Sequence, residues 1–118
     1  MTVYVVQEVT GRNILSAKEF GELKLLLPEG NQVVLSSQPT VNKLRRKLKD
    51  FCDDDYLLLM GDPVAMGIAC AIASDVNRGR IQCLKWDRME FKYYPVRFNL
   101  FEKGEIDDWF WKGRKNWR

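Results

Sequence analysis

The sequence predicts an α/β protein with a mixed sheet of about six strands and two principal helices. Three observations predict this class. Short β-branched or aromatic segments alternate with two segments of helical character, and turn residues separate them. Apolar residues make up 46% and charged residues 30% of the 118 residues, which is ordinary for a globular chain. We therefore expect one domain over residues 1–105, followed by a tail over residues 106–118 that is rich in tryptophan and basic residues.

The N-terminal part predicts a strand, a short helical turn and a hairpin. Residues 2–9 (TVYVVQEV) are β-branched and aromatic, which is typical of a strand. Ser16 and Glu19 have the spacing of a capping box, so a helical turn is expected to begin at Ser16. Residues 23–27 and 32–36 resemble strands, and the turn sequence PEGN between them predicts the hairpin.

Residues 39–51 predict the first principal helix. Its apolar positions recur at helical spacing and form one stripe: Val41, Leu44, Leu48 and Phe51. Its other faces carry the basic side chains Lys43, Arg45, Arg46, Lys47 and Lys49.

The second helix is predicted over residues 63–76, after a strand at residues 56–60. That strand (YLLLM) lacks alternation, as expected where both faces of a sheet are covered. Asp62 is a favourable N-cap, and proline suits the first helical position that follows it. The helix is apolar nearly all round, which predicts burial. Its small residues, Gly67, Ala69 and Ala73, are expected to allow close approach to the sheet.

A second hairpin is predicted at the C-terminal end of the domain, from residues 81–86 and 91–100. Pro95 indicates an edge strand or a bulge. The element order gives a β-α-β-α-β core with a hairpin at each end. Parallel strands with right-handed crossovers are favoured for such a core.

Charge and composition restrict the chemistry. The net charge is +3, and residues 63–118 carry eleven basic and seven acidic groups, which favours an anionic partner. The chain has no histidine, which excludes Ser-His-Asp and Cys-His catalysis and histidine-ligated zinc. Cys52, Cys70 and Cys83 are too few and too widely spaced for a disulfide framework or a Cys-x-x-Cys knuckle, so Cys70 and Cys83 are expected to be core thiols.

Two basic regions are candidate binding sites. The first is the helix face with Lys43, Arg45, Arg46, Lys47 and Lys49, which either neutralises phosphates or is a solvated outer face. The second is the tail, where aromatic and basic residues alternate in a way that suits stacking on unpaired bases, a protein interface or packing on the sheet. Its candidate residues are Trp109, Phe110, Trp111, Lys112, Arg114, Lys115, Trp117 and Arg118.

Asp62 is the one candidate for metal chemistry. It follows a central strand, where a carboxylate could hold a divalent metal with help from Asp53, Asp54 or Asp55, as in metal-dependent nucleases. The alternative is a helix cap beside a solvated acidic loop. Glycine-rich nucleotide-binding fingerprints are absent from the sequence.

Three segments carry a resemblance to a known class of proteins. They are YVVQEVTGRN, FGELKLLLPEG and DDDYLLLMGDPVAMGIACAIASDVNRGRIQCLKWDR. With them, residues 3 to 100 resemble small, functionally unassigned proteins of tailed bacteriophages. The resemblance implies a protein made in an infected bacterial cell that acts by binding, and it carries over no site residues.

The sequence thus predicts a non-catalytic protein that contacts nucleic acid through the basic helix and the tail. The alternatives are a protein-interaction module that binds a host protein or a second copy through Trp109–Trp111, and a metal-dependent nuclease that uses Asp62. We expect no cofactor, no membrane span and a cytoplasmic location. The longest uncharged stretch, residues 63–74, is shorter than the about 20 residues that cross a bilayer.

Overall fold

The computed structural model describes residues 1–11, 14–30 and 37–102. These residues form five strands, two α-helices and one 3-10 helix, Leu15–Phe20. In chain order the strands and α-helices are β1 (Thr2–Gln7), β2 (Glu22–Leu27), α1 (Gln38–Leu48), β3 (Tyr56–Leu58), α2 (Pro63–Val76), β4 (Arg80–Asp87) and β5 (Lys92–Asn99).

One mixed sheet organises the described residues, with the strand order β2-β1-β3-β4-β5. The first four strands are parallel, and β5 pairs antiparallel with β4. The strand that follows β1 in the chain, β2, pairs on one edge of β1, and the next strand, β3, pairs on its other edge. The direction of winding therefore reverses between β1 and β3, where α/β sheets have their topological switch point.

Both α-helices lie on the same face of the sheet. Leu44 and Leu48 of α1 and Ala69 and Ala73 of α2 belong to one apolar cluster with Leu57 of β3. The opposite face has its own cluster, which includes Ala17 of the 3-10 helix. All of β3 is buried, as predicted, because it lies between the two clusters.

The predicted topology is confirmed in part, and the predicted N-terminal hairpin stays a prediction because its second strand lies outside the described residues. The α/β class, the helices flanking β3 and the C-terminal hairpin are present. The described residues hold five strands rather than about six, and the predicted strand at 32–36 lies outside them. The pairing of β1 with β2 is parallel, because the segment with the 3-10 helix returns the chain to the end of the sheet at which β1 begins.

Three local predictions need correction. Ser16 lies inside the 3-10 helix, whose cap position is Ile14 with no side-chain cap bond. The helix α1 ends at Leu48, although Phe51 still packs in the core after a turn in which its N–H donates to the Leu48 carbonyl. Gly67 is exposed with open space at its Cα, so it does not mediate approach to the sheet.

Pro95 occupies an edge strand, as predicted. It lies opposite Leu84 in the strand register. The Leu100 N–H donates to the Gly79 carbonyl, so Gly79 and Leu100 form a hydrogen-bonded pair. Because such pairs alternate along an antiparallel ladder, Leu84 and Pro95 form a non-hydrogen-bonded pair. The Pro95 nitrogen therefore points to the open edge, where a missing N–H removes no hydrogen bond from the sheet. Among the described residues, no helix has both the length and the apolar character needed to cross a membrane.

Candidate functional site

The basic residues of α1 lie outside its apolar stripe, which faces the core. Leu44 and Leu48 are fully buried and fix the orientation of the helix. Lys43 and Lys47 are one turn apart and Arg46 lies beside Lys47, so these three share one flank of the helix. The helix therefore presents a cluster of like charges along one side.

Two of the five predicted basic residues have partners among the described residues. The Arg45 guanidinium forms an exposed ion pair with Asp75 of α2, at 3.2 Å. The Lys47 ammonium donates a hydrogen bond of 2.9 Å to the Leu26 carbonyl of the edge strand β2. Lys49 is exposed at the C-cap position, beyond the last turn of the helix.

A cation from another element joins the cluster. Lys24 lies on β2, with its ammonium 5.6 Å from the centre of the buried Tyr4 ring. Burial lowers the pKa of Lys47, and the positive charges of Lys43, Lys24 and Arg46 lower it further. These four residues therefore influence one another electrostatically. We call Lys24, Lys43, Arg46 and Lys47 the basic surface.

The basic surface takes no part in the ion pairs of the described residues. Only two ion pairs occur among the described residues, Arg45–Asp75 and Arg80–Asp53, and neither involves the basic surface. The helix dipole explains part of this clustering, because each cation in the last turn of α1 stabilises the helix by about 0.3–1 kcal/mol. It does not explain Lys24, which is on a strand.

Sequence reasoning missed Lys24. It stands alone among apolar and acidic residues of the chain, without the clustering that marks a basic helix. Its alternation with Leu23 and Leu25 shows only that it shares a face of β2 with Glu22 and Leu26. Its approach to α1 depends on the sheet order.

The carboxyl ends of β1 and β3 enclose a small crevice at the switch point. Gln7 ties this region together: its side-chain amide donates 3.1 Å to the Pro28 carbonyl and accepts 2.6 Å from the Asp62 N–H. Gly61 has a φ of 104°, and a Cβ there would collide with the Gln7 side chain. The crevice has a volume of about 460 Å³ and is bordered by the acidic residues Glu8, Glu29 and Asp62.

Asp62 is placed as a helix cap. Its carboxylate accepts a hydrogen bond of 3.2 Å from the Ala65 N–H in the first turn of α2. This is the arrangement that the sequence offered as the alternative to a metal ligand.

The acidic loop before β3 is used mainly for structure. The Asp53 carboxylate pairs with Arg80 at 2.8 Å and accepts from Asn77 at 3.0 Å, and these bonds hold the pKa of Asp53 below its usual value. Asp55 is buried and accepts from the N–H groups of Thr2 and Cys52, each at 3.0 Å. Among the described residues, no three His, Cys, Asp or Glu side chains are grouped so as to hold a metal ion.

A larger groove runs between α2 and the β4–β5 hairpin. Its volume is about 730 Å³, and its lining is mostly apolar. Cys70 of α2 and Cys83 of β4 both line it, and Cys83 is buried while Cys70 is partly exposed. A hydrogen bond from the Cys83 thiol lowers the pKa of Cys70 to about 7 and raises that of Cys83, because the two groups share one proton before the second is lost.

The hairpin also carries exposed apolar side chains. Tyr94, Val96 and Phe98 lie on the helix-bearing face, opposite Lys85, Cys83 and Ile81 in the strand register. They are between 36 and 39% exposed. The tail residues that the sequence singled out, from Trp109 to Arg118, lie outside the described residues, so their part in a site stays a prediction.

One comparison with known proteins gives a match. A family model described as Phage Pam3 gp32-like protein matches residues 1–100, which include all but the last two of the described residues. No curated protein matches the chain, and no solved structure does. The match confirms the resemblance to phage proteins of unassigned function over the range expected from the sequence.

Proposed function

The chain belongs to the Phage Pam3 gp32-like protein family, and from that premise we propose that it binds nucleic acid through the basic surface without catalysing a reaction. The carrying observation is the cluster of four cations from two separate elements, Lys24 on β2 and three on α1. Cations held this close repel one another, and a polyanion removes that repulsion. The phosphate backbone of a nucleic acid is such a polyanion, and it is abundant in an infected cell.

The chemistry of the basic surface favours phosphate contacts over base contacts. It consists of lysine and arginine, and among the described residues the ring in contact with it, Tyr4, is buried beneath Lys24. Because the Tyr4 ring is buried, the described part of this surface offers no platform for base stacking. We expect binding here to be strongly salt-dependent and weakly dependent on sequence, with stacking supplied, if at all, by Trp109, Trp111 and Trp117 of the tail.

Fluorescence anisotropy with the full chain and short labelled duplex or single-stranded oligonucleotides tests the proposal. Lys43→Gln and Arg46→Gln should each weaken duplex binding and reduce the slope of log K against log salt by about 0.9. Arg45→Gln is the matched control, because Arg45 lies on the same helix but is paired with Asp75. We expect its slope to remain that of the native protein.

Two outcomes would contradict the proposal. One is the absence of binding to any oligonucleotide at low salt. The other is an equal loss of affinity in Arg45→Gln and Arg46→Gln, which would show that the effect does not arise from the basic surface.

The same assay separates the alternative of a protein-interaction module, which depends on Trp109, Phe110 and Trp111. Replacing Trp109 and Trp111 together with alanine in the full chain should weaken single-stranded binding more than duplex binding if these rings stack on bases. If nucleic-acid binding is unchanged while self-association in sedimentation velocity is lost, the tail serves a protein interface.

A further inference from the structure

The fold brings four sulfur-containing side chains to one groove. The chain has three cysteines and four methionines. Four of these seven residues, Met60, Met66, Cys70 and Cys83, line the groove between α2 and the β4–β5 hairpin. Met66 lies one helical turn before Cys70, on the same side of α2. The groove therefore combines two thiols with two thioethers in an apolar setting.

Cys70 and Cys83 face each other rather than only filling space. They come from different elements, α2 and β4, but pack in the same apolar cluster and line the same groove, and their thiols influence each other's pKa. Cys70 is partly exposed, so the pair can be reached from the groove. A pair of thiols in contact and open to a cavity can act as two ligands for one ion.

The other lining residues restrict which ion fits. Among the described residues, the lining contains no carboxylate, and its remaining titratable side chains are Lys85 and Tyr93. Hard cations such as Mg²⁺ and Ca²⁺ require oxygen ligands that this lining does not supply. A structural zinc ion requires four nitrogen, sulfur or carboxylate ligands, and the described lining supplies two of that kind, Cys70 and Cys83. Soft monovalent ions accept thiolates in lower coordination, and thioethers are compatible with them.

We propose that Cys70 and Cys83 bind one soft monovalent metal ion, of the Cu(I) or Ag(I) class, as a two-thiolate site in this groove. Both thiols lose their protons on binding, and the two S–H bonds are replaced by two sulfur–metal bonds with no change in oxidation state. The ion lowers the repulsion between two neighbouring thiolates, which otherwise disfavours loss of the second proton. This site is independent of the basic surface and of the proposed nucleic-acid function.

Titration of the reduced full chain with Ag(I), and with Cu(I) under anaerobic conditions against a chromophoric Cu(I) chelator, tests the proposal. The native protein should bind one ion per chain and develop the ultraviolet absorption of metal–thiolate bonds. Loss of a residue that only supports a metal ligand lowers metal affinity by about 10–100-fold. Because Cys70 and Cys83 would be ligands themselves, Cys70→Ala and Cys83→Ala should each lower the affinity by at least as much. Cys52→Ala is the matched control, because Cys52 is an exposed cysteine outside the groove.

A melting experiment keeps the test decisive if a variant is less stable. Bound metal should raise the midpoint of thermal unfolding of the native protein and of Cys52→Ala, but not that of Cys70→Ala. Retention of tight one-to-one binding by a Cys70→Ala, Cys83→Ala double variant would overturn the proposal. So would dependence of the binding on Cys52, or Zn(II) affinity equal to that for Cu(I) in the same assay.

Discussion

The helices α1 and α2 cover the same face of one sheet in opposite ways. On α1, Leu44 and Leu48 are large and fully buried, while the rest of the surface is polar and charged. On α2, the buried residues are mostly small, such as Ala65, Ala69 and Ala73, and the exposed side is also largely apolar. One helix is held by side-chain volume, and the other by close approach of its backbone to the sheet.

This difference assigns separate tasks to the two helices. The long apolar side chains of α1 fix its orientation firmly enough to project Lys43, Arg46 and Lys47 toward Lys24. The small residues of α2 let the thiol of Cys70 reach Cys83 on β4. A surface for a polyanion and a groove for a soft ligand therefore arise from two packing modes over the same sheet.

Truncating a large side chain of α1 should have the greatest effect on stability. Leu44→Ala removes a fully buried side chain and leaves a cavity, so the free energy of unfolding should fall by about 2–5 kcal/mol. Arg45→Ala is the neighbouring control. It removes only an exposed ion pair and should cost no more than about 1 kcal/mol. Urea unfolding followed by tryptophan fluorescence measures both, and equal losses would show that α1 is not anchored by its stripe.

On α2 the opposite change, enlargement, should be harmful. Ala69 is fully buried, so Ala69→Leu overpacks the interface with the sheet and should cost about 1–3 kcal/mol. Ala71 lies on the exposed side of the same helix, and Ala71→Leu should change stability by no more than about 0.5 kcal/mol. If the free energy of unfolding of Ala69→Leu equals that of the native protein in the same urea experiment, α2 is not held by the close approach of its backbone to the sheet.

Local signals were sufficient where neighbours in the sequence decide the structure. The bounds of α2, its cap at Asp62 and the C-terminal hairpin all follow from residues within a few positions of one another. The orientation of α1 follows from the spacing of its stripe. The burial of α2 was harder, because a helix that is apolar nearly all round does not show which side faces the sheet. Gly67 was assigned to the wrong side for this reason.

Long-range contacts were beyond the sequence pattern. The parallel pairing of β1 and β2 depends on the path of the 3-10 helix, whereas the pattern of two adjacent strands is the same for a hairpin. The positions of Lys24 beside α1 and of Cys70 beside Cys83 depend in turn on the strand order. The candidate site was thus predicted in its helical part and missed in the part that β2 contributes.

Capping should distinguish the helices by a smaller amount. The Asp62 carboxylate accepts from the Ala65 N–H at the start of α2, whereas Ser37 at the start of α1 makes no side-chain cap bond. Asp62→Ala should therefore cost about 0.5–2 kcal/mol, and Ser37→Ala less than about 0.5 kcal/mol. Thermal unfolding of the two variants checks the difference. A larger loss in Ser37→Ala would contradict the assigned caps.

The smallest expected effect is a pH dependence of nucleic-acid binding. Burial and three neighbouring cations lower the pKa of Lys47 in the free protein. A bound polyanion offsets the repulsion from those cations and raises this pKa, so binding takes up a proton at alkaline pH. Affinity should then fall as pH rises through the lowered pKa of Lys47, by no more than about tenfold per pH unit, because a single titrating group is involved.

Lys47→Arg isolates this effect, because arginine keeps the charge and a donor for the Leu26 carbonyl but does not titrate in this range. Binding should persist in the variant while its alkaline pH dependence disappears. Anisotropy at constant salt measures the affinity, and calorimetry in buffers of different ionisation enthalpy counts the protons taken up. An unchanged pH dependence in Lys47→Arg would place the titrating group elsewhere. The lowered pKa of Lys47 would then not be linked to the binding of nucleic acid at the basic surface.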